Sequence, residues 1–173
     1  MISSGGEVFK REGYGKVGGK RKARDIYIVK EAFPFQTADR RYGSVYYDAS
    51  KREKRMENII RECGLNPIGD YHSHPDNNEQ RASLDLGFDD EEYLKENPNL
   101  ISFIVAIKET QKLGAWNSHY DQIECFFKNG IKPRGYKISI AGYYYDINTK
   151  KCLRVKIAPC PELNALFLSK NHD

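Results

Sequence analysis

"GDYHSHPDNNEQRASLD", residues 69–85, is the stretch on which the reading of this chain turns. In a strand, side chains two residues apart leave the same face. His72 and His74 therefore present two imidazoles side by side, with Ser73 turned the other way. Two strand histidines ordinarily do no more than bond to their neighbours. Here Pro75 ends the strand, a polar loop follows, and Asp85 stands eleven positions past His74 at the expected start of a helix. Zinc takes imidazole nitrogen and carboxylate oxygen in a tetrahedral shell, and a catalytic site keeps one position open for water. A histidine pair with a returning carboxylate fits that requirement.

The flanking sequence supplies a scaffold. The clearest helix lies just upstream: Ser50 and Glu53 form an S-x-x-E capping box, and Met56, Ile59, Ile60 and Cys63 follow helical spacing. Gly64 stands where a left-handed C-terminal cap belongs. A strand over 66–74 follows, then a polar loop (75–82) and a short helix over 83–96 ended by Asn97-Pro98. "LISFIVAI" (100–107) is nearly all apolar and reads as a strand buried on both faces. "DIYIVKEAF" (25–33) is a strand stopped by Pro34, and "SVYYD" (44–48) a short extended piece. Residues 113–121 and 122–130 look like a hairpin pair, while 136–146 and 152–157 close the sheet. The glycine- and charge-rich residues 5–24 suggest an irregular or hairpin lead-in. With no internal repeat or low-complexity linker, the expectation is one domain over 1–173. Its class is α/β in the broad sense (α+β), a mixed central β-sheet flanked by helices.

Length and composition agree. A chain of 173 residues, 39% hydrophobic and 30% charged, with twelve tyrosines and eight phenylalanines, is ordinary globular material. No apolar run reaches the roughly 18 residues a membrane span needs, and "MISSGGEVFKREG" has no hydrophobic signal region. A cytoplasmic protein with no membrane partner is expected. Cys63, Cys125, Cys152 and Cys160 include no C-x-x-C pair and read as reduced thiols. The net charge of +4 is mild. Its basic clusters, Lys20 to Arg24 and Lys51 to Arg55, read as a solvated hairpin tip and the outer face of a helix. No zinc finger, helix-turn-helix or aromatic-interleaved RNA motif accompanies them, which argues against a nucleic-acid partner.

"GDYHSHP" followed by Asp85 resembles the JAMM (MPN+) motif of zinc-dependent isopeptidases. The helix ending at "ECGLNPIG" and the later "NPNLISFIVAI" strand are similar to the same domain in the same order, over roughly residues 7 to 145. The resemblance implies the JAMM/MPN (cytidine-deaminase-like) architecture, with His72, His74 and Asp85 binding one Zn2+ per chain. It implies a metallopeptidase that cleaves ubiquitin or a ubiquitin-like modifier from lysine amines. It also implies a glutamate general base in the pattern E-x-x-G-x-x-x-G, which Glu12, Gly15 and Gly19 match, with Glu7 in "GEVFK" as the alternative. Modifiers of this kind end in Gly-Gly, which suits a narrow groove where an extended chain pairs with a sheet edge.

Three departures stand against the pattern. Where the family has a serine that stabilises the tetrahedral intermediate, this chain has Ala82, with Ser83, one position late, as the candidate for that catalytic role. The segment carrying the glutamate is charged and glycine-rich rather than apolar. Only eleven residues precede Glu12, where a helix is usual. A non-catalytic scaffold domain of the same fold, or a metallo-hydrolase acting on a small amide or sulfur-carrier conjugate, are the alternatives. Elsewhere, Trp116 reads as core, His119 as a surface strand histidine and His172 as part of a frayed terminus. Tyr143, Tyr144 and Tyr145 read as strand packing with wet hydroxyls.

Overall fold

The computed structural model describes residues 13–23, 26–35, 39–40, 45–46, 49–76, 82–128, 135–159, 161 and 164–165. Ten strands and two helices are assigned there: β1 (Tyr14–Ala23), β2 (Ile26–Pro34), β3 (Asp39–Arg40), β4 (Val45–Tyr46), α1 (Ala49–Glu62), β5 (Asn66–Pro75), α2 (Phe88–Glu96), β6 (Ile101–Thr110), β7 (Asn117–His119), β8 (Gln122–Lys128), β9 (Gly135–Asp146) and β10 (Lys151–Arg154). Eight strands form one sheet in the order β2-β1-β5-β6-β9-β8-β7, with β10 also on β9; β3 and β4 pair separately. The fold is α+β and strand-rich. No described helix is long and apolar enough to cross a membrane.

From Tyr14 the glycine- and charge-rich lead-in is one arm of a hairpin, with β1 paired antiparallel to both β2 and β5. β5 and β6 run parallel, so the chain must cross over between them, and α2 lies in that crossover. Gly69 sits where the two strands approach; a Cβ there would overlap the Ile101 carbonyl oxygen.

α1 ends as the sequence requires. Gly64 takes φ +71°, Gly64 N–H donates to Arg61 O at 2.9 Å and Leu65 N–H to Ile60 O at 3.1 Å. These two bonds make a Schellman cap that turns the chain directly into β5. The Ser50 side chain, expected to open this helix, lies outside the described residues. Glu53 pairs with the buried Lys16 of β1, tying α1 to the sheet.

The strands expected over 113–121 and 152–157 are shorter, at Asn117–His119 and Lys151–Arg154, and the second helix starts late. A helix was expected from residue 83, but α2 begins at Phe88. Ser83 Oγ accepts the Asp85 N–H at 2.9 Å and donates to Asp85 Oδ2 at 2.6 Å, closing a local turn that competes with helix. The helix starts only after Gly87, whose N–H donates to Asp90 Oδ2 at 2.8 Å. The strand over 100–107 behaves as its composition demands: Ser102 to Ile107 are all buried.

The two faces of the sheet differ. One carries the main apolar core, in which Val17, Tyr71, Phe103, Val105, Ile107, Ile138 and Ile140 interlock with Ile68. On the other, α2 places Leu94 against Ile104, Ala141 and Tyr143, with Leu84 and Leu86 packed alongside. Asp70, His72 and His74 leave β5 towards this second face.

Candidate metal centre

Strand alternation puts His72 opposite Tyr14 of β1 and beside Ile104 of β6, and His74 beside Ala106. Both imidazoles lie near the carboxyl end of β5, where the crossover leaves the sheet, a common position for sites on parallel strands. Their Nε2 atoms are 3.1 Å apart, with the rings tilted by 56°. Asp90, in the first turn of α2, brings Oδ1 to 3.2 Å from His72 Nε2 and Oδ2 to 4.0 Å from His74 Nε2. All three side chains are half-buried, and their ligand atoms lie within 4.8 Å of one another.

The hydrogen bonds fix much of the chemistry. His74 Nδ1 lies 3.0 Å from Ser83 O, and a carbonyl can only accept, so Nδ1 carries the proton and Nε2 keeps its lone pair. That lone pair faces His72 Nε2. Two bare lone pairs at this distance repel, so the arrangement calls for a proton or a cation between them. Burial, reinforced by the charge of His72, lowers the His74 pKa and keeps its imidazole neutral, as a metal ligand must be. Burial pushes the Asp90 carboxyl up, but His72 and the Gly87 N–H outweigh it and hold Asp90 below the usual carboxylate range. The donor set is two imidazole nitrogens and one ionised carboxylate. It fits zinc.

The sequence-derived residues are distributed unevenly. His72 and His74 are together as expected. Asp85 is exposed and tied to Ser83, although its charge still reaches His74. The carboxylate beside the imidazoles is Asp90, sixteen positions past His74 (90 − 74) rather than eleven. Nothing in the acidic run "DLGFDDEEY" marks it out; the usable signal was the helix, whose Leu94 must face the sheet and so turns Asp90 towards β5. Ser83 serves the site through its backbone carbonyl, and its hydroxyl is engaged with Asp85. Ala82 is half-buried and offers no hydroxyl.

Glu12 and Glu7 lie outside the described residues, as do Cys160 and His172. Gly13, next in the chain to Glu12, is placed firmly. Its N–H donates to Ser73 Oγ at 2.7 Å, and its carbonyl accepts from the Ser73 N–H at 2.9 Å. Ser73 stands between the two histidines.

The strand neighbour Asp70 was not singled out from sequence, although it shares the alternation with His72 and His74. It is buried against Lys16 and Ser102. Ser102 Oγ donates to Oδ1 at 2.7 Å, while Oδ2 has no partner within hydrogen-bonding geometry among the described residues. Burial raises this carboxyl, and Ser102, Tyr93, Lys16 and His72 offset only part of the effect.

Other expectations can be placed. Trp116 is buried, its indole N–H donating to Phe126 O at 2.8 Å, and His119 is exposed beside Asn117. The Tyr143 hydroxyl is not wet: it donates to Leu84 O at 2.6 Å. Cys63, Cys125 and Cys152 are free thiols. A scan against protein-family models and a search of curated proteins found no match.

Proposed function

We propose that the chain is a zinc-dependent isopeptidase of JAMM/MPN type, cleaving the bond between the C-terminal glycine of ubiquitin or a ubiquitin-like modifier and a lysine amine. The observation that carries this reading is the convergence of His72 Nε2, His74 Nε2 and Asp90 at the end of β5, with the His74 tautomer set by Ser83 O. Asp90 takes the role that the motif spacing gives to Asp85. Loop length is a soft constraint, since closing a longer loop costs little, whereas helix-on-sheet packing fixes a side chain closely. Zinc, when bound, supplies a Lewis acid and a water that ionises near neutrality.

His72 and His74 would hold the ion through their Nε2 atoms, and Asp90 would supply the negative charge. The proton released by the attacking water passes to the leaving amine through a carboxylate, which we assign to Glu12, with Glu7 as the alternative. What supports Glu12 is its place in the chain next to Gly13, which a double hydrogen bond with Ser73 ties to the strand that carries the histidines.

One observation favours a second reading. Asp85 is close enough to His74 to bear on it electrostatically while Asp90 stands beside His72. If both bound, four protein donors would close the tetrahedral shell, and the chain would be a non-catalytic scaffold domain. Elemental analysis and a cleavage panel separate the two. The expected result is about one zinc per chain, lost in His72→Ala, with chelator-sensitive release of a modifier from an isopeptide-linked substrate. Stoichiometric zinc with no cleavage of modifier conjugates or small amides would favour the closed site. Zinc content unaffected by His72→Ala and His74→Ala would overturn both readings.

A further inference from the structure

We propose that Tyr143 is a positioning residue for the metal centre, acting through the backbone of residues 83–85 and held in place by Arg154 and Asp121. The inference rests on the metal-binding reading above. Tyr143 lies on β9 opposite Ser102 of β6, and its neighbour across the β9–β10 ladder is Arg154. Arg154 Nε donates to the Tyr143 hydroxyl oxygen at 2.8 Å, and Arg154 Nη1 donates to Asp121 Oδ2 at 2.8 Å. A guanidinium has only donors, so the phenolic oxygen must accept from it and send its own proton elsewhere. That proton goes to Leu84 O, at 2.6 Å. A cation feeding a chain of hydrogen bonds strengthens each link, in keeping with the short final contact.

The recipient is a peptide group clamped at both ends. Leu84 O is held by Tyr143, and the N–H of the same peptide, that of Asp85, is held by Ser83 Oγ at 2.9 Å. One peptide earlier, Ser83 O accepts from His74 Nδ1 and so sets which imidazole nitrogen faces the metal position. The Leu84 and Leu86 side chains pack into the same apolar cluster as Tyr143. Sheet strands β9 and β10 therefore fix the plane of the 84–85 peptide. They thereby fix the aim of the Ser83 carbonyl and the direction in which Asp85 leaves the chain. No histidine or carboxylate of the site is touched. Losing the clamp frees the carbonyl that orients His74.

Tyr143→Phe removes one oxygen and keeps the ring in its cluster. Zinc affinity by competition with a chromophoric chelator, the visible spectrum of the cobalt-substituted protein and the thermal midpoint with chelator present together test the proposal. The expected result is a loss of zinc affinity of about 10-fold, the lower end of what losing a ligand's own hydrogen-bond partner costs, because Tyr143 acts one peptide further back. An altered cobalt ligand-field band in a still-folded protein should accompany it. Arg154→Gln should give a smaller loss in the same direction. It carries the test if Tyr143→Phe does not fold. An unchanged affinity and cobalt spectrum in a folded variant, with wild type binding metal, would overturn this inference alone. Failure of wild type to bind zinc or cobalt would overturn it together with the metal centre.

Discussion

Asp70 and Tyr71 are neighbours in the chain, and 1% and 2% of their surfaces remain exposed, yet they live in opposite environments. Tyr71 points into the apolar core among Val17, Phe103, Val105 and Ile107. Asp70 points to the face with Lys16, Ser102 and His72, and one of its oxygens has no hydrogen-bond partner among the described residues. Alternation along one strand therefore separates two tasks. The odd-numbered face around Tyr71 removes apolar surface from water, the dominant favourable term in folding. The even-numbered face keeps ionisable groups out of water, which costs stability unless each is paired. A sheet whose sole task was stability would gain by making both faces alike.

Removing one side chain from each face tests this division of tasks. Ile107 is fully buried in the apolar cluster. Ile107→Ala should cost about 2–5 kcal/mol through lost burial and the cavity left behind. His72→Ala deletes a half-buried imidazole crowded against His74, and should change stability by no more than about 1 kcal/mol while abolishing zinc binding. Urea unfolding with chelator present gives both numbers. Equal losses would mean that the polar face is as structural as the apolar one.

Within the polar face, the two carboxylates can be set against each other. Asp90→Asn should weaken zinc by about 100-fold or more, beyond what an outer hydrogen-bond partner contributes. Asp85→Asn, at an exposed residue tied to Ser83, should change it by less than about 10-fold. A reversed order from chelator competition would restore Asp85 as the ligand and make Asp90 its understudy.

A smaller effect is expected at Asp70. Burial raises its folded pKa above 3.8, so between that value and the folded one the folded state binds more protons than the unfolded state. Stability from this group is therefore lost as pH rises through that window. Asp70→Asn keeps an acceptor for Ser102 and carries no charge. It should stabilise the chain by about 1 kcal/mol near pH 7 and by progressively less towards pH 4. A destabilised variant would show that the attraction of the Lys16 charge outweighs the burial of the carboxylate.

How much of this was legible follows from the length scale of each signal. The helix over 49–62 and its Gly64 cap, the β5 alternation and the buried β6 run are set by neighbours within one element, and local pattern reported them. The lead-in through "YGKVGGKRKA" gave no strand pattern, because its strand is made by pairing with β2 and β5 on either side rather than by its own residues. The start of α2 was displaced because the Ser83–Asp85 turn competes for the same backbone groups. The place of Asp90 beside the imidazoles was not anticipated for a related reason: counting from His74 across a loop measures chain length, while the position of Asp90 is measured by the packing of Leu94. The Tyr143 hydroxyl illustrates the extreme case, since its partner is 59 residues away in sequence and only the assembled sheet brings them together.

The smallest expected effect probes how dry the apolar side is. Cys125 is fully buried on β8 with Trp116 and Ile123, and burial pushes its thiol up to about 12. At pH 8 its thiolate fraction is then about 10⁻⁴, and the thiolate is the reactive form. Cys63, at the exposed end of α1, has no such shield. A disulfide reagent at pH 8 should therefore modify Cys63 in a fast phase, and Cys63→Ala should remove one fast equivalent. Cys125 should react only as the chain opens, at a rate that climbs with urea below the unfolding midpoint. Cys152, half-buried beside α2, is raised by burial and by Glu91 and should fall between them. Modifying Cys63 or Cys125 need not change zinc affinity, so those two rates report on the scaffold alone. Should Cys125→Ala remove a fast-reacting equivalent from the native protein, water reaches β8 freely. The contrast between a dry face and a polar face would then have to be confined to the strands next to β5.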